Sequence, residues 1–255
     1  MLNATLNYKQ EVDENLLIIK VKPDTPIPFK PGQYIALGLF GSSPRKEGYP
    51  PDPEKVLPDK LIKRSYSIAS SPEENTLLEF YIAIVREGIF SPRLAALKEG
   101  ERLHIGRRAV GTFTLEDVPA DAPLLLIATG TGVAPYISML RYSKTWDRKA
   151  PITLLHGVRY PNHLAYHKEL QELAKARENF SYYPIVSRGN SEWKGHKGHI
   201  QDLFKNGVIT PLPEHHIFLC GNPSMVEDLT KYFTAKGFKV HKKREPGNLH
   251  LEKYW

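Results

Sequence analysis

Apolar and polar residues alternate over short stretches in the first 115 residues of the chain. The pattern is clearest in four segments: LLIIKVK (16–22), QYIALGL (33–39), RSYSIAS (64–70) and LEFYIAIV (78–85). Proline and glycine residues separate these segments, as they commonly separate antiparallel strands. The first part of the chain is therefore predicted to form an antiparallel β-barrel or sandwich.

A different pattern begins after the turn-rich segment DVPADAP (117–123). Short apolar runs, typical of buried strands, alternate with longer stretches of helical period. The runs are LLLIAT (124–129), ITLLHGV (152–158), YYPIVS (182–187) and HIFLC (216–220), and the helical stretches include HLAYHKELQELAKA (163–176) and SMVEDLTKYFTAKG (224–237). This order predicts a doubly wound parallel α/β sheet. We expect two domains, 1–116 and 117–255.

Composition narrows the class of protein. The 255 residues are 41% apolar, and no apolar run approaches the roughly 20 residues that cross a bilayer. The N-terminus lacks the pattern of a signal peptide, and the single cysteine, Cys220, has no partner for an internal disulfide. We therefore expect a cytoplasmic protein without a membrane segment. The formal net charge of +7 favours an acidic partner: a nucleic acid, an anionic cofactor or an acidic protein.

A glycine-rich turn lies between the first strand of the second domain and a helix, in LLLIATGTGVAPYISML (124–140). Backbone N–H groups at such a turn face a ligand at the positive end of the helix dipole, where phosphate binds well. In open parallel sheets, ligands bind at the carboxyl ends of the strands. The residues at these ends are Gly130, Thr131, Gly132, Gly157, Val158, Arg159, Ser187, Arg188, Cys220, Gly221, Asn222 and Pro223. A crevice with this lining suits a dinucleotide.

Charge at the strand ends distinguishes the two nicotinamide dinucleotides. An NAD site usually has Asp or Glu after its second strand, to bind the ribose hydroxyls, whereas a cation there favours the 2′-phosphate of NADP. Arg159 stands at that position, and Arg188 follows the third strand. Each arginine alone is equally compatible with a solvated surface. Their shared edge of the sheet favours NADP(H).

A second phosphate site is predicted in the first domain, in EGIFSPRLAAL (87–97). Ser91 suits the N-cap of a short helix, with Pro92 as the first helical residue. The N–H groups of that helix, together with Arg93, could bind a pyrophosphate. An ordinary capped helix with no ligand is the alternative interpretation of this segment.

The strand RSYS (64–67) supports a cofactor site in the same domain. Tyr66 offers a flat aromatic face on one side, and Arg64 and Ser67 offer a cation and a hydroxyl on the other. These groups suit a charged cofactor with a planar ring.

Six segments, in order along the chain, resemble those of the bacterial ferredoxin/flavodoxin-NADP+ reductases. They are RSYS (64–67), GIFSPRLAALKEGE (88–101), ATGTGVAPYISML (128–140), HGVR (156–159), CGNPSM (220–225) and the terminal EKYW (252–255). The first and third mark the wider flavin reductase superfamily, whereas SPRLAAL and the aromatic C-terminus are typical of the bacterial subgroup. The resemblance implies an N-terminal antiparallel barrel that binds FAD and a C-terminal five-stranded parallel domain that binds NADP(H).

The resemblance also implies roles for individual residues. Tyr66 matches the residue that stacks on one flavin face, Ser67 lies near flavin N5, and Tyr254 covers the other face, where it gates access of the nicotinamide. Cys220 and Glu252 match residues near the nicotinamide, so the implied catalytic set is Ser67, Cys220, Glu252 and Tyr254. The implied FAD-binding set is Arg64, Ser65, Tyr66, Ser67, Ile89, Phe90, Ser91, Thr131, Tyr254 and Trp255, and the NADP-binding set is Gly132, Arg159, Ser187, Arg188, His199, Gly221, Asn222 and Met225.

The implied function is electron transfer between NADPH and a small acidic carrier, ferredoxin or flavodoxin, that binds transiently to a monomeric enzyme. Basic residues that could steer the carrier are Lys63, Arg107, Arg108, Lys242, Lys243 and Arg244. Two other hypotheses stay open: an NAD(P)H-dependent reductase for an oxygenase, free flavin or ferric complexes, and a flavin-binding regulatory module without turnover. No metal site is expected, and the sequence has no recognised nucleic-acid-binding module.

Two features depart from the family's pattern. Where the family has a T-G-R triplet for the 2′-phosphate, this chain has Lys197, Gly198 and His199. Because histidine is a weaker phosphate ligand that loses its charge as pH rises, we expect a softened, pH-dependent preference for NADPH. The segment 41–60 is longer than the family's usual hairpin, and we expect a disordered loop there.

Overall fold

The computed structural model describes residues 1–253, and the chain divides into two compact units. One unit contains Met1–Leu115 and Ala134–Ser143, and the other contains Glu116–Val133 and the chain from Lys144 onward. Among the described residues, every helix is too short or too polar to cross a membrane.

Antiparallel pairing builds the first unit. Its strands are β1 (Ala4–Asp13), β2 (Leu16–Pro23), β3 (Tyr34–Phe40), β4 (Leu61–Ser67), β5 (Leu78–Ala83) and β6 (Arg102–Ile105), with a 3-10 turn at Pro72–Glu74 and a short helix α1 (Ser91–Ala96). The strand order is β4-β3-β6-β1-β2-β5. Just beyond β4, the Ala69 N–H donates to the Glu79 carbonyl of β5 over 2.8 Å, which joins the two edge strands. The predicted antiparallel barrel is confirmed.

The alternation of side chains across each strand gives the barrel its core. In β2, Leu17, Ile19 and Val21 are fully buried in the apolar cluster, whereas Lys20 and Lys22 lie on the opposite face. Burying one such aliphatic side chain contributes about 1.5–3 kcal/mol to folding. The period of two seen in the sequence is therefore the pattern that closes the barrel around its core.

Helix α2 (Ala134–Arg141) follows the glycine-rich turn but packs with the first unit. The Ser138 hydroxyl donates to the Ser70 carbonyl over 2.7 Å, and Arg141 forms an ion pair of 2.9 Å with the buried Glu79. These polar contacts are made with residues of the barrel. The helix that the sequence analysis assigned to the second domain therefore groups with the first unit.

Parallel pairing builds the second unit. Its strands are β7 (Leu124–Thr129), β8 (Ile152–Val158), β9 (Phe180–Val186), β10 (His196–Lys197), β11 (His216–Gly221) and β12 (Leu249–Lys253), and its helices are α3 (His167–Ala176), α4 (Ile200–Lys205) and α5 (Pro223–Ala235). Further 3-10 turns lie at Gly130–Val133, Ser143–Asp147 and Pro161–His163. The strand order β10-β9-β8-β7-β11-β12 changes direction between β7 and β11.

This order confirms the predicted doubly wound parallel sheet. The number of strands differs from the expected five, because the described residues contain a sixth, β10, at one edge. Strand β10 has only two residues, too few for an apolar run to reveal it in the sequence.

Candidate functional site

The carboxyl ends of β7 and β11 lie side by side where the strand order changes direction, and glycines allow their close approach. A Cβ on Gly132 would lie 2.5 Å from the Cys220 carbonyl oxygen, and a Cβ on Gly221 would lie 2.4 Å from the Thr129 hydroxyl. Gly221 also has a φ of +130°, which residues with a side chain rarely adopt. Gly130, with a φ of +53°, borders open space. Gly132 and Gly221 therefore let the turns after β7 and β11 pack closely together, and the three glycines are called the glycine cradle below.

A buried histidine to which the sequence analysis gives no role supports this cradle. His156, on β8, is fully buried, and its Nε2 lies 2.9 Å from the carbonyl oxygen of Gly130. Because a carbonyl only accepts hydrogen bonds, Nε2 carries the proton, and Nδ1 has no hydrogen-bond partner among the described residues. Burial lowers the pKa of His156 to about 4, so the ring is neutral at pH 7. The motif HGVR marks this residue, but nothing in the sequence identifies its partner.

Helix α5 begins directly after β11 and is tied to the cradle through its N-cap, Asn222. The Asn222 side-chain oxygen accepts hydrogen bonds from the backbone N–H groups of Ser224 (2.9 Å) and Met225 (3.4 Å). The Asn222 N–H in turn donates to the Thr129 hydroxyl over 2.9 Å. The side chain of Met225 is buried in the apolar core, and Thr131 is buried in the turn itself.

Strands β11 and β12 bring together the two residues predicted to lie near the nicotinamide. Cys220 and Glu252 are paired across the two strands, and Cys220 Sγ lies 3.9 Å from Glu252 Oε1. Cys220 is fully buried and Glu252 is half-buried. The predicted site residues Tyr254 and Trp255 lie outside the described residues.

The ends of β8 and β9 bring the predicted 2′-phosphate residues to one edge of the sheet. The Arg188 N–H donates to the Arg159 carbonyl over 2.7 Å, and both arginines are exposed. Ser187 lies beside them and is half-buried. The Gly198 N–H donates to the carbonyl of the last residue of β9 over 3.1 Å, which places His199 close to the same edge. The structure therefore collects these four predicted residues.

An acidic neighbour of His199 was missed by the sequence analysis. His199 is the N-cap residue of α4, and its N–H donates to the Asp202 carboxylate over 2.8 Å. A carboxylate this close opposes the binding of a phosphate at His199, because like charges repel. The signal was present in the sequence, since an acidic residue three positions after a helix N-cap is typical of a capping box.

In the first unit, β4 carries the predicted flavin-binding strand. Tyr66 is half-buried with its ring 6.0 Å from that of Phe90, and burial raises the pKa of the Tyr66 phenol above its ordinary value. Arg64 and Ser65 are exposed, and Ser67 is buried. The expectation that Arg64 lies on the opposite side from Tyr66 is wrong, because residues two apart on a strand share a face. Ser67 lies on the other face.

The short helix α1 begins at Ser91 itself, so the predicted N-cap role of Ser91 is wrong. Phe90 holds the N-cap position and forms no side-chain cap. The Ser91 hydroxyl instead accepts a hydrogen bond from the Val85 N–H (2.9 Å) and donates to the Val85 carbonyl (3.2 Å). Ser91 therefore closes the loop that precedes the helix.

The predicted contact of Arg93 with a pyrophosphate is also wrong. The Arg93 side chain is only 3% exposed, and its two terminal nitrogens each lie 2.6 Å from an oxygen of the Asp52 carboxylate. Asp52 belongs to the segment 41–60, so this segment is an anchored loop where disorder was expected. By contrast, the N–H groups of Ile89 and Phe90 donate no hydrogen bond within the described chain. These two donors fit a pyrophosphate.

The donor set as a whole fits anionic dinucleotides. Gly130 borders open space that a phosphate can enter, the exposed Arg159 and Arg188 provide positive charge, and Ile89 and Phe90 provide unpartnered N–H groups. Within residues 1–253, no group of three or more His, Cys, Asp or Glu side chains is placed to hold a metal ion.

The barrel, the doubly wound sheet and the cradle together define the class of two-domain, nucleotide-binding oxidoreductases. Residues 126–231 match the family model described as the oxidoreductase NAD-binding domain. The flavodoxin/ferredoxin–NADP reductase of Escherichia coli (strain K12) is 36% identical over 238 residues, which are 90% of this chain and 89% of that protein. The ferredoxin–NADP reductase of Pseudomonas aeruginosa is 30% identical over 94% of this chain and 92% of its own length.

Among solved structures, a ferredoxin NADP+ reductase from Neisseria gonorrhoeae, with bound FAD and NADP, is similar over 98% of this chain and 97% of that chain. The TM-score is 0.84 and the sequence identity is 25%. The chain belongs to the flavodoxin/ferredoxin–NADP reductase family, and the family resemblance found in the sequence is confirmed.

Proposed function

We propose that the protein is an FAD-dependent ferredoxin/flavodoxin–NADP+ reductase that passes electrons between NADPH and a one-electron carrier. The observation that carries the proposal is the extent of the match to the relative from Escherichia coli, which covers 90% of this chain and 89% of that protein. A match of this length includes both units. The solved ferredoxin NADP+ reductase from Neisseria gonorrhoeae, with bound FAD and NADP, is similar over 98% of this chain and 97% of its own.

FAD, when bound, supplies a ring that takes up two electrons with a hydride and releases them singly. The first unit would bind it. Tyr66 would stack against the ring with Ser67 near its reactive nitrogen, and Arg64 would meet the phosphates. The proposed FAD contacts are Arg64, Ser65, Tyr66, Ser67, Ile89, Phe90, Ser91 and Thr131, with Tyr254 and Trp255 from the C-terminus. The unpartnered N–H groups of Ile89 and Phe90 support this assignment.

NADP(H) would bind at the carboxyl ends of the second unit's strands. Arg159, Arg188 and His199 would hold the 2′-phosphate, and Cys220 and Glu252 would contact the nicotinamide. The proposed lining also includes Gly132, Ser187, Gly221, Asn222 and Met225. The open space beside Gly130 supports a close approach of the phosphates to the backbone.

The proposed partner is an acidic ferredoxin or flavodoxin that binds transiently to a monomer. The names of the relatives specify these carriers, and the net charge of +7 favours acidic ones. We place the reaction in the cytoplasm, because a single buried cysteine suits a reducing compartment.

A visible spectrum followed by two anaerobic titrations tests the proposed function. The purified protein should show a flavin spectrum, release FAD on heating, lose the visible band with NADPH and regain it with oxidised ferredoxin or flavodoxin. Protein that stays colourless after incubation with FAD would contradict the proposal. Bleaching without reoxidation by either carrier would favour the oxygenase or free-flavin reductase, and no bleaching would favour the regulatory module.

A further inference from the structure

A cluster of the buried Arg93 with the half-buried Arg45 and Asp52 lies behind the turn that is proposed to bind the FAD pyrophosphate. Asp52 receives hydrogen bonds from both terminal nitrogens of Arg93 (2.6 Å each) and from Arg45 Nη1 (2.7 Å). The Arg93 side chain is 3% exposed and that of Arg45 is 14% exposed. Hydrogen bonding from Arg93 holds the pKa of Asp52 below its usual range, so the carboxylate is charged at neutral pH.

The two guanidinium groups also bind the carbonyl oxygens of the turn. Arg45 donates to the carbonyls of Gly88 (2.8 Å) and Arg86 (3.0 Å), and Arg93 donates to that of Ile89 (2.7 Å). Three carbonyls of one short turn are therefore held by a cluster joined through a single carboxylate. Arg45 and Asp52 both come from the loop 41–60.

Because each peptide group is planar, a carbonyl that is held in place also fixes the direction of the N–H group in the same peptide. In a trans peptide the C=O and N–H groups point in opposite directions, and the described chain has no cis peptide bond. The carbonyl of Gly88 shares its peptide group with the N–H of Ile89, and the carbonyl of Ile89 shares its own with the N–H of Phe90. Holding both carbonyls on the cluster therefore aims both N–H groups away from it.

Neither of these two N–H groups donates a hydrogen bond within the described chain. Two successive N–H groups with a common direction form a concave site for an anion. A cation on the carbonyl side also polarises each peptide group and strengthens its N–H as a donor.

We propose that Asp52, Arg45 and Arg93 are positioning residues that orient the Ile89 and Phe90 N–H groups toward the pyrophosphate of FAD. The inference rests on the proposed function, since it assigns the turn to FAD. It gives the loop 41–60 a role: the loop supplies two of the three positioning residues. Arg93 acts through the backbone and not by direct contact with phosphate.

The experiment compares FAD with riboflavin, which has the same ring but no phosphate. Apoprotein is prepared from wild type and from Asp52→Asn, and the Kd of each flavin is measured by fluorescence titration. In Asp52→Asn we expect FAD to bind at least about tenfold more weakly, because hydrogen bonds to a charged ligand lose their alignment. The Kd of riboflavin should stay unchanged. The ³¹P NMR signals of bound FAD should also shift.

A matched control is available in the same unit. Asp24 forms a similar two-pronged ion pair with Arg102, with distances of 2.7 and 2.5 Å, on the exposed surface. Asp24→Asn should leave the Kd values of both flavins unchanged. If Asp52→Asn does not fold, Arg45→Met keeps the Asp52–Arg93 pair and should still weaken FAD binding selectively.

The outcomes separate this inference from the function it rests on. If wild-type apoprotein binds FAD and the Asp52 and Arg45 variants bind it equally well, or lose FAD and riboflavin affinity in parallel, the positioning role is wrong and the proposed function stands. If wild-type apoprotein binds neither flavin, the proposed function and the positioning role are both wrong.

Discussion

Gly130 turns the chain with a φ of +53°, and His156 holds that turn by donating its Nε2–H to the Gly130 carbonyl. The two residues perform different tasks. Glycine permits a conformation that a side chain would strain, whereas the histidine fixes one orientation of the carbonyl. The hydrogen bond requires only a proton on Nε2, whereas burial disfavours the second proton that would charge the ring, so protonation of His156 at low pH costs stability.

This cost predicts how stability depends on pH. The ordinary pKa of histidine is about 6.5, whereas burial lowers that of His156 to about 4. Between these values the unfolded chain binds more protons, so the free energy of unfolding falls as pH falls from about 6.5 to 4 and is unaffected above about 7. Once the pH is below about 4, the lowered pKa of His156 has reduced the free energy of unfolding by about 3 kcal/mol in total.

Urea denaturation of wild type and His156→Gln between pH 4.5 and 8 checks this prediction. Glutamine keeps an N–H donor but does not titrate, so the variant should lose the His156 share of the pH dependence. His250, whose pKa burial lowers to about 3, keeps its own share in both proteins. Identical pH dependence in the two proteins would show that His156 is not the titrating group.

At the scale of elements, the ends of β8 and β9 and the start of α4 carry the residues proposed to determine the choice between NADPH and NADH. Two exposed arginines favour a 2′-phosphate, while Asp202 beside His199 opposes it. Asp202 also has a local structural role, because its carboxylate accepts a hydrogen bond from the backbone N–H of His199, the N-cap residue of α4. The Asp202 carboxylate thus stabilises the start of α4 but repels a 2′-phosphate bound at His199.

This conflict predicts a preference for NADPH over NADH that depends on the charge at position 199. The preference is measured as the ratio of the steady-state kcat/KM values for the two dinucleotides. His199→Arg adds a fixed positive charge and should raise this ratio several-fold above that of wild type. His199→Gln carries no charge and should give a lower ratio than His199→Arg. An equal ratio in wild type and the two variants would contradict a role of position 199 in binding the 2′-phosphate.

At the scale of the whole molecule, the excess of positive charge is available for steering. The chain carries a formal charge of +7, and the candidate steering residues are all exposed: Lys63, Arg107, Arg108, Lys242, Lys243 and Arg244. Long-range attraction mainly raises the rate of encounter with an acidic carrier, and salt screens it.

Charge reversal at two of these positions tests the steering. In Arg107→Glu/Arg108→Glu, the kcat/KM for ferredoxin reduction should fall roughly tenfold at low ionic strength, and its dependence on salt should become shallower. Reduction of a neutral quinone by NADPH should be unaffected. The control Lys22→Glu/Lys98→Glu makes the same charge change at two other exposed positions of the first unit and should have a smaller effect. Equal effects of the two double variants would leave only net charge, and no steering patch, as the cause.

The sequence by itself determined the two classes of fold, the glycine-rich turn and the strand ends where the predicted ligand-binding residues lie. These features depend on local rules: a period of two or a helical period, and the conformations open to glycine. Only the resemblance implied that Cys220 and Glu252 both lie near the nicotinamide, because the residues are 32 positions apart and no local rule connects them.

Only the tertiary structure decided which remote groups meet. It gave Arg93 a partner 41 positions away in Asp52, joined α2 to the barrel through Ser138 and Arg141, and placed His156 under the Gly130 carbonyl. The physical reason is that the local hydrophobic pattern determines which face of an element is buried. A buried charge or ring nitrogen needs a hydrogen-bond partner, and tertiary packing determines which residue provides it.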